Sequence, residues 1–153
     1  GSAALFGVSF ALGAFFADIQ EPIIGRREDG IFVPDDKQRA ELDRLDAAAA
    51  LAKEGIEAEV IDLRTLSPLD IDTVLESVEK TGRLVCVDEA NPRCSIAADV
   101  SAQVAQQAFR SLKGPIEMVT APHTPVPFSP VLEDLYIPSA AQIAAAAKRT
   151  MVH

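Results

Sequence analysis

A chain of 153 residues with 48% hydrophobic content can bury one substantial core and falls near the commonest size of a single domain. Twenty-three acidic against fourteen basic residues leave a formal net charge of −9, which repels phosphate backbones and anionic membrane surfaces and argues against nucleic-acid or membrane binding. Two cysteines, Cys86 and Cys94, do not make a disulfide framework in a chain this long, and both are expected to be reduced thiols of a cytoplasmic protein.

Gly1-Ser2 has the character of a cloning remnant. The apolar run Ala3 to Ala17 lacks a basic flank and is shorter than the roughly 20 residues a spanning helix needs, so a buried strand or helix is expected there. The charged stretch Gly25 to Gly30 is read as a loop. Asp35 and Asp36 are candidate caps of a helix in which Leu42, Leu45, Ala49 and Ala52 repeat at helical spacing until Gly55 stops it.

From there strand and helix patterns alternate. Ile56 to Leu63 predicts a strand, and the stretch from Ser67 to Gly82 a loop feeding a helix that starts near Asp70. Arg83 to Ala90 is a continuous apolar run that turns acidic at its carboxyl end, the pattern of a central strand buried on both faces. A helix over Ser95 to Leu112, a break at Gly114-Pro115, and a strand over Ile116 to Ala121 follow. The alternation predicts an α/β fold: an open, mostly parallel sheet of about five strands with helices on both faces.

The segment from Ala121 to Ser139 holds prolines at 122, 125, 127, 130 and 138, which excludes a central strand or a continuous helix. It also carries Val126, Phe128, Val131, Leu132, Leu135, Tyr136 and Ile137, too much apolar surface for a free linker, so an arm packed on apolar surface is expected. A helix from Ser139 closes the chain.

Few residues suggest chemistry. Asp88 and Glu89 stand at the carboxyl end of a central strand, where open α/β sheets place their ligand crevice, and paired carboxylates can divide acid and base roles. Adjacent strand residues point to opposite faces, however, which favours Asp88 as a cap of a nearby helix or loop and Glu89 as an interface residue. His123 has no identifiable nucleophile to serve as base, and is assigned a structural or interface role. Cys94 beside Arg93 is expected to be a quiet thiol. Neither GxGxxG nor GxxxxGK[ST] occurs, and no metal-ligand spacing is present.

The segments LAKEGIEAEVIDLRTLSPLD, ESVEKTGRLVCVDEA and TAPHTPVPFSPVLEDLYIPS, in that order between about Asp46 and Lys148, resemble the carboxy-terminal domain of the transketolase-like beta subunits of 2-oxo acid dehydrogenase complexes. DEANPRC together with APHTPVPFSP is most similar to acetoin dehydrogenase beta subunits. The resemblance implies a non-catalytic domain that supports an alpha-beta heterotetramer and docks it on a dihydrolipoyl acyltransferase core. Thiamine diphosphate and magnesium belong to that complex, between the alpha subunit and the other beta domain, with none bound by this chain. It places Arg64, Glu89, His123, Phe128, Leu132, Leu135 and Tyr136 at interfaces, and a homodimer is expected for the isolated chain. The alternative is an independent small-molecule-binding domain or enzyme built on Asp88 and Glu89. The resemblance divides the chain into an unmatched segment, 1–45, and a matched domain, 46–153. Family members supply a strand of the type VTLVxxG just before the helix that here holds DAAAALAKEG. The run Leu5 to Phe16 is the candidate to replace that strand.

Overall fold

Four parallel strands carry the fold in the computed structural model, which describes residues 7–13, 26–28, 31–33, 36–63 and 65–152. In chain order they are β1 (Gly7–Gly13), β4 (Glu57–Leu63), β5 (Leu84–Asp88) and β6 (Glu117–Thr120), and their spatial order is β4-β1-β5-β6. Between β1 and β4 lie the short strands β2 (Arg26–Glu28) and β3 (Ile31–Val33), paired antiparallel, and the helix α1 (Asp36–Lys53). Helices α2 (Ile71–Thr81), α3 (Ile96–Gln107), α4 (Pro130–Tyr136) and α5 (Ala140–Arg149) complete the chain.

The apolar run near the amino terminus does become a sheet strand, and a central one. β1 pairs with β4 from Gly7↔Glu57 to Gly13↔Leu63 and with β5 from Ser9↔Leu84 to Leu12↔Val87. Strand order reverses at this point, because the connection from β1 leads to one side of the sheet and the connection from β5 to the other. Crossovers of constant hand put the helix of a connection that runs one way along the sheet on one face and the helices of connections that run the other way on the opposite face. Accordingly α1 and α5 cover one face, and α2 and α3 the other.

Strand β5 joins the two resulting cores. Side chains alternate across a strand, so Leu84 and Cys86 enter a core with Ile61, Leu63, Val74, Val78, Val100 and Val104, while Val85 and Val87 enter another with Ala47, Leu51, Val119, Ile143 and Ala147. All five β5 residues are buried, as the uninterrupted apolar run predicts. Three buried aliphatic side chains, Leu84, Val85 and Val87, at roughly 1.5–3 kcal/mol each make this short strand a large contributor to stability.

Helix limits follow from local chemistry. Asp70 caps α2 by accepting from the Thr73 amide at 3.2 Å, and Gly82 ends it in the left-handed conformation at φ 78°. Gly55, at φ 83°, closes α1 in the same way. Ser95 caps α3, and Ser139 forms a reciprocal capping box with Gln142 at the start of α5.

Three sequence expectations are corrected. Arg26–Glu28, within the stretch read as a loop, is strand β2; Asp29-Gly30 is a dipeptide suited to tight hairpins, and charge does not prevent backbone pairing. In α1 the spacing of Leu45, Ala49 and Ala52 does not mark the buried face. Those three are exposed, whereas Arg44, Ala47 and Leu51 are buried, because the small Ala47 lets α1 lie close against the alanines of α5. The helix expected from Ser95 to Leu112 ends at Gln107 and continues as a 3-10 turn over Phe109–Ser111. Among the described residues the main sheet has four strands, parallel throughout and covered by helices on both faces, as the alternation predicts.

Replacing Val85 by Asp is expected to abolish soluble folding, since an unpaired buried carboxylate costs several kcal/mol against a total stability of about 5–15 kcal/mol. A cooperative, near-wild-type thermal melt of Val85→Asp would contradict the placement of β5.

Burial pushes the Cys86 thiol up to about 11, against an ordinary value of 9.0. The folded state therefore keeps its proton where the unfolded chain loses it. The associated stability is intact below pH 9 and lost as pH rises through about 11, an effect of about 2 kcal/mol. Urea unfolding of wild type and Cys86→Ala at pH 8 and pH 11 should reveal a steeper loss in wild type; parallel losses would contradict this environment.

Candidate assembly surface at the carboxyl ends of the strands

At the carboxyl end of β5, Asp88 is folded into the protein. Its Oδ1 accepts from the Ala90 amide at 2.9 Å and its Oδ2 from the Ala97 amide at 3.4 Å. Ala97 lies in the first turn of α3, whose next free amide, that of Ala98, donates to Ser95 Oγ at 3.3 Å. A helix amino terminus beside a strand end is the usual phosphate site of α/β proteins. Here the chain's own carboxylate occupies it and would repel an anion. Glu89, by contrast, is exposed. The two carboxylates thus occupy opposite environments, and the acid-base pairing considered from sequence has no shared site.

The following loop is tightly organised. Asn91 Oδ1 accepts from the Arg93 amide at 3.1 Å, and the exposed Cys94 adopts a positive φ of 54° directly before the Ser95 cap. The Ala121 amide donates to the Ala90 carbonyl at 3.2 Å, tying this loop to the one that leaves β6. Glu89 and His123, both exposed, therefore belong to two loops joined at their roots. Arg64 lies outside the described residues.

Beyond the buried Ala121, the proline-rich arm is ordered without being packed on the core. The Thr124 amide donates to the Pro122 carbonyl at 2.7 Å. Pro130 then stands at the first position of α4, where its missing N–H is harmless and its fixed φ suits a helix. The short helix was not foreseen because five prolines obscured VLEDLY, which contains none. Phe128 is fully exposed at 102% and Leu135 is 75% exposed, with Val126, Val131 and Leu132 also in contact with water. Within this chain these side chains are left uncovered. Tyr136 is half-buried and its hydroxyl donates to the Thr124 carbonyl at 3.0 Å. Pro138 is buried and anchors the far end.

The structure thus gathers Phe128, Leu132 and Leu135 into one exposed arm and sets Tyr136 apart. Val126 and Val131, counted from sequence among the arm's apolar residues but not assigned to an interface, share that exposure. Exposed Phe109 and Met118 were missed as well, the latter on edge strand β6. A shallow, open depression lies between β6 and α5, lined by Met118, Thr120, Gln142 and Arg149 among others. Arg149 is already held there by Glu117 at 2.6 Å. Among the described residues, no three His, Cys, Asp or Glu side chains are grouped so as to hold a metal ion, and no helix is long and apolar enough to cross a membrane.

Comparison with known proteins fits this geometry. The beta subunit of acetoin:2,6-dichlorophenolindophenol oxidoreductase from Cupriavidus necator is 81% identical over 107 residues, covering 70% of this chain and 32% of that protein. Its counterpart from Bacillus subtilis is 63% identical over 95 residues, 62% of this chain and 28% of that protein. The pyruvate dehydrogenase E1 component subunit beta of Bacillus subtilis is 47% identical over 107 residues, 70% of this chain and 33% of that protein. The chain thus spans about a third of the length of these relatives. A solved structure described as a split-gene transketolase, inactive beta4 tetramer, shares the fold with a TM-score of 0.64 at 22% identity, over 95% of this chain and 38% of that one. Residues 43–143 match the family model of the transketolase C-terminal domain, and the chain belongs to that family.

Proposed function

We propose that this chain is the carboxy-terminal domain of the beta subunit of a thiamine-diphosphate-dependent acetoin or 2-oxo acid dehydrogenase, and that its task is assembly rather than chemistry. The observation that carries this reading is the ordered arm that leaves Val126, Phe128, Val131, Leu132 and Leu135 in water. Burying a side chain of this size is worth roughly 1.5–3 kcal/mol, so five of them forgo on the order of 10 kcal/mol unless another surface covers them. Exposed apolar patches of this kind mark interfaces. The two acetoin:2,6-dichlorophenolindophenol oxidoreductase beta subunits similar to the chain carry about twice as much further sequence and are named as subunits.

In this reading the partners are the dehydrogenase alpha subunit and the dihydrolipoyl acyltransferase core, in the cytoplasm, and the isolated chain pairs with itself through the same arm. Glu89 and His123 flank that contact, and Arg64 is assigned to an interface from the sequence resemblance. Thiamine diphosphate and magnesium belong to the parent complex. The described residues do not fit a diphosphate, because Asp88 and Ser95 already satisfy the first amides of α3. No catalytic step is assigned to this chain.

Sedimentation equilibrium at tens of micromolar should show self-association of the chain, the range expected of a modest interface. Phe128→Ala combined with Leu135→Ala should shift it to monomer with an unchanged melting temperature, since aromatic and aliphatic anchors can each contribute about 2 kcal/mol. A monomeric wild-type chain would overturn the self-association.

Titration of the chain with thiamine diphosphate and magnesium in a calorimeter is expected to give no binding heat. Micromolar binding would contradict the assignment of the cofactor to other parts of the complex.

A further inference from the structure

Helix α4 poses a physical problem. It has seven residues, none of them buried, and its cap residue Ser129 makes no side-chain capping bond. Isolated helices shorter than about 12–15 residues are marginal in water, and none of the α4 side chains is fully buried. Features that favour α4 include Pro130 at its first position and a hydrogen bond across the arm, from the Tyr136 hydroxyl to the Thr124 carbonyl at 3.0 Å.

We propose that this hydrogen bond is a latch that holds the arm in its binding shape, which makes Tyr136 a positioning residue of the assembly surface and not one of its contact anchors. The acceptor is well placed for the task. Thr124 sits in a tight turn through its amide bond to the Pro122 carbonyl, three residues after Ala121, which is buried and bonded to Ala90. The donor is the last residue of α4, and two residues later the chain is fixed again by buried Pro138 and the capping box at Ser139. The arm is therefore pinned at both roots and braced between them by this bond. Within that brace, Phe128, Leu132 and Leu135 are displayed without support from the core. Ordering a surface before it binds removes that cost from the binding step. The role in assembly rests on the reading above; the latch itself does not.

Hydrogen exchange separates the two. The amides of Leu132, Glu133 and Ile137 report directly, since the first two donate to the Ser129 carbonyl at 2.9 Å and the third to the Glu133 carbonyl at 3.1 Å. One hydrogen bond of ordinary net strength corresponds to roughly a threefold to tenfold change in an equilibrium constant. In Tyr136→Phe, which keeps the ring and removes only the hydroxyl, these amides should exchange about that much faster, measured at a dilution where sedimentation shows one species. Exchange in β5 and α3 should be unchanged, and Phe128→Ala should leave α4 exchange unchanged too. The latch is overturned if Tyr136→Phe leaves α4 exchange unaltered, if β5 accelerates equally, or if Phe128→Ala loosens α4 as much. A latch that passes while Phe128→Ala leaves association intact would count against the assembly reading alone.

Discussion

Leu84, Val85, Cys86 and Val87 have neither a face nor an edge in contact with water, since β1 and β6 pair with both edges of their strand and a separate core receives each face. A short apolar strand has only one kind of stable environment of this sort: the middle of a parallel sheet covered on both sides. Everything else is arranged around that requirement. β1 must lie between β4 and β5 to complete their hydrogen bonding, the crossovers must put helices on both faces, and the carboxyl end of β5 must come to rest where α3 begins.

That last consequence bears on function. An open α/β sheet offers a ligand crevice at the carboxyl ends of its strands, and helix amino termini there attract anions. In this chain the strand ends in Asp88, whose buried carboxylate accepts from Ala90 and from Ala97 in the first turn of α3. A group that elsewhere would come from a ligand is supplied by the protein. The same bonds fix the loop that carries Glu89 and Arg93, and through the contact between Ala90 and Ala121 they fix the root of the arm. The first amides of α3 and the base of this loop are thus satisfied from within the chain.

The arm bears on function through its energetics. Its prolines lower the entropy lost on ordering, its two ends are anchored by buried Ala121 and Pro138, and its large apolar side chains still face water. Order without burial is costly for an isolated domain and sensible for part of a larger assembly. The relatives that are about three times as long as the matched region, and that are named as subunits, are consistent with such a setting.

The sequence alone determined the period of each element and where most of them stop, because these depend on neighbours a few residues away. The buried run at β5, the helix starts near Asp70, Ser95 and Ser139, and the glycine stops at Gly55 and Gly82 were all legible. So was the role of Asp88 as a cap, since strand alternation separates it from Glu89. The tertiary structure decided what depends on distant partners. It placed β1 in the middle of the sheet, although that strand lacks the family's sequence pattern, because backbone pairing asks for length and apolar character more than for particular residues. It turned α1 so that Arg44, Ala47 and Leu51 face inward and Leu45 outward, which helical spacing cannot distinguish when alanines line several faces. It separated Tyr136 from Phe128, Leu132 and Leu135 in the arm, because whether an apolar side chain is covered depends on which surface lies within reach, and that surface is set by the whole fold.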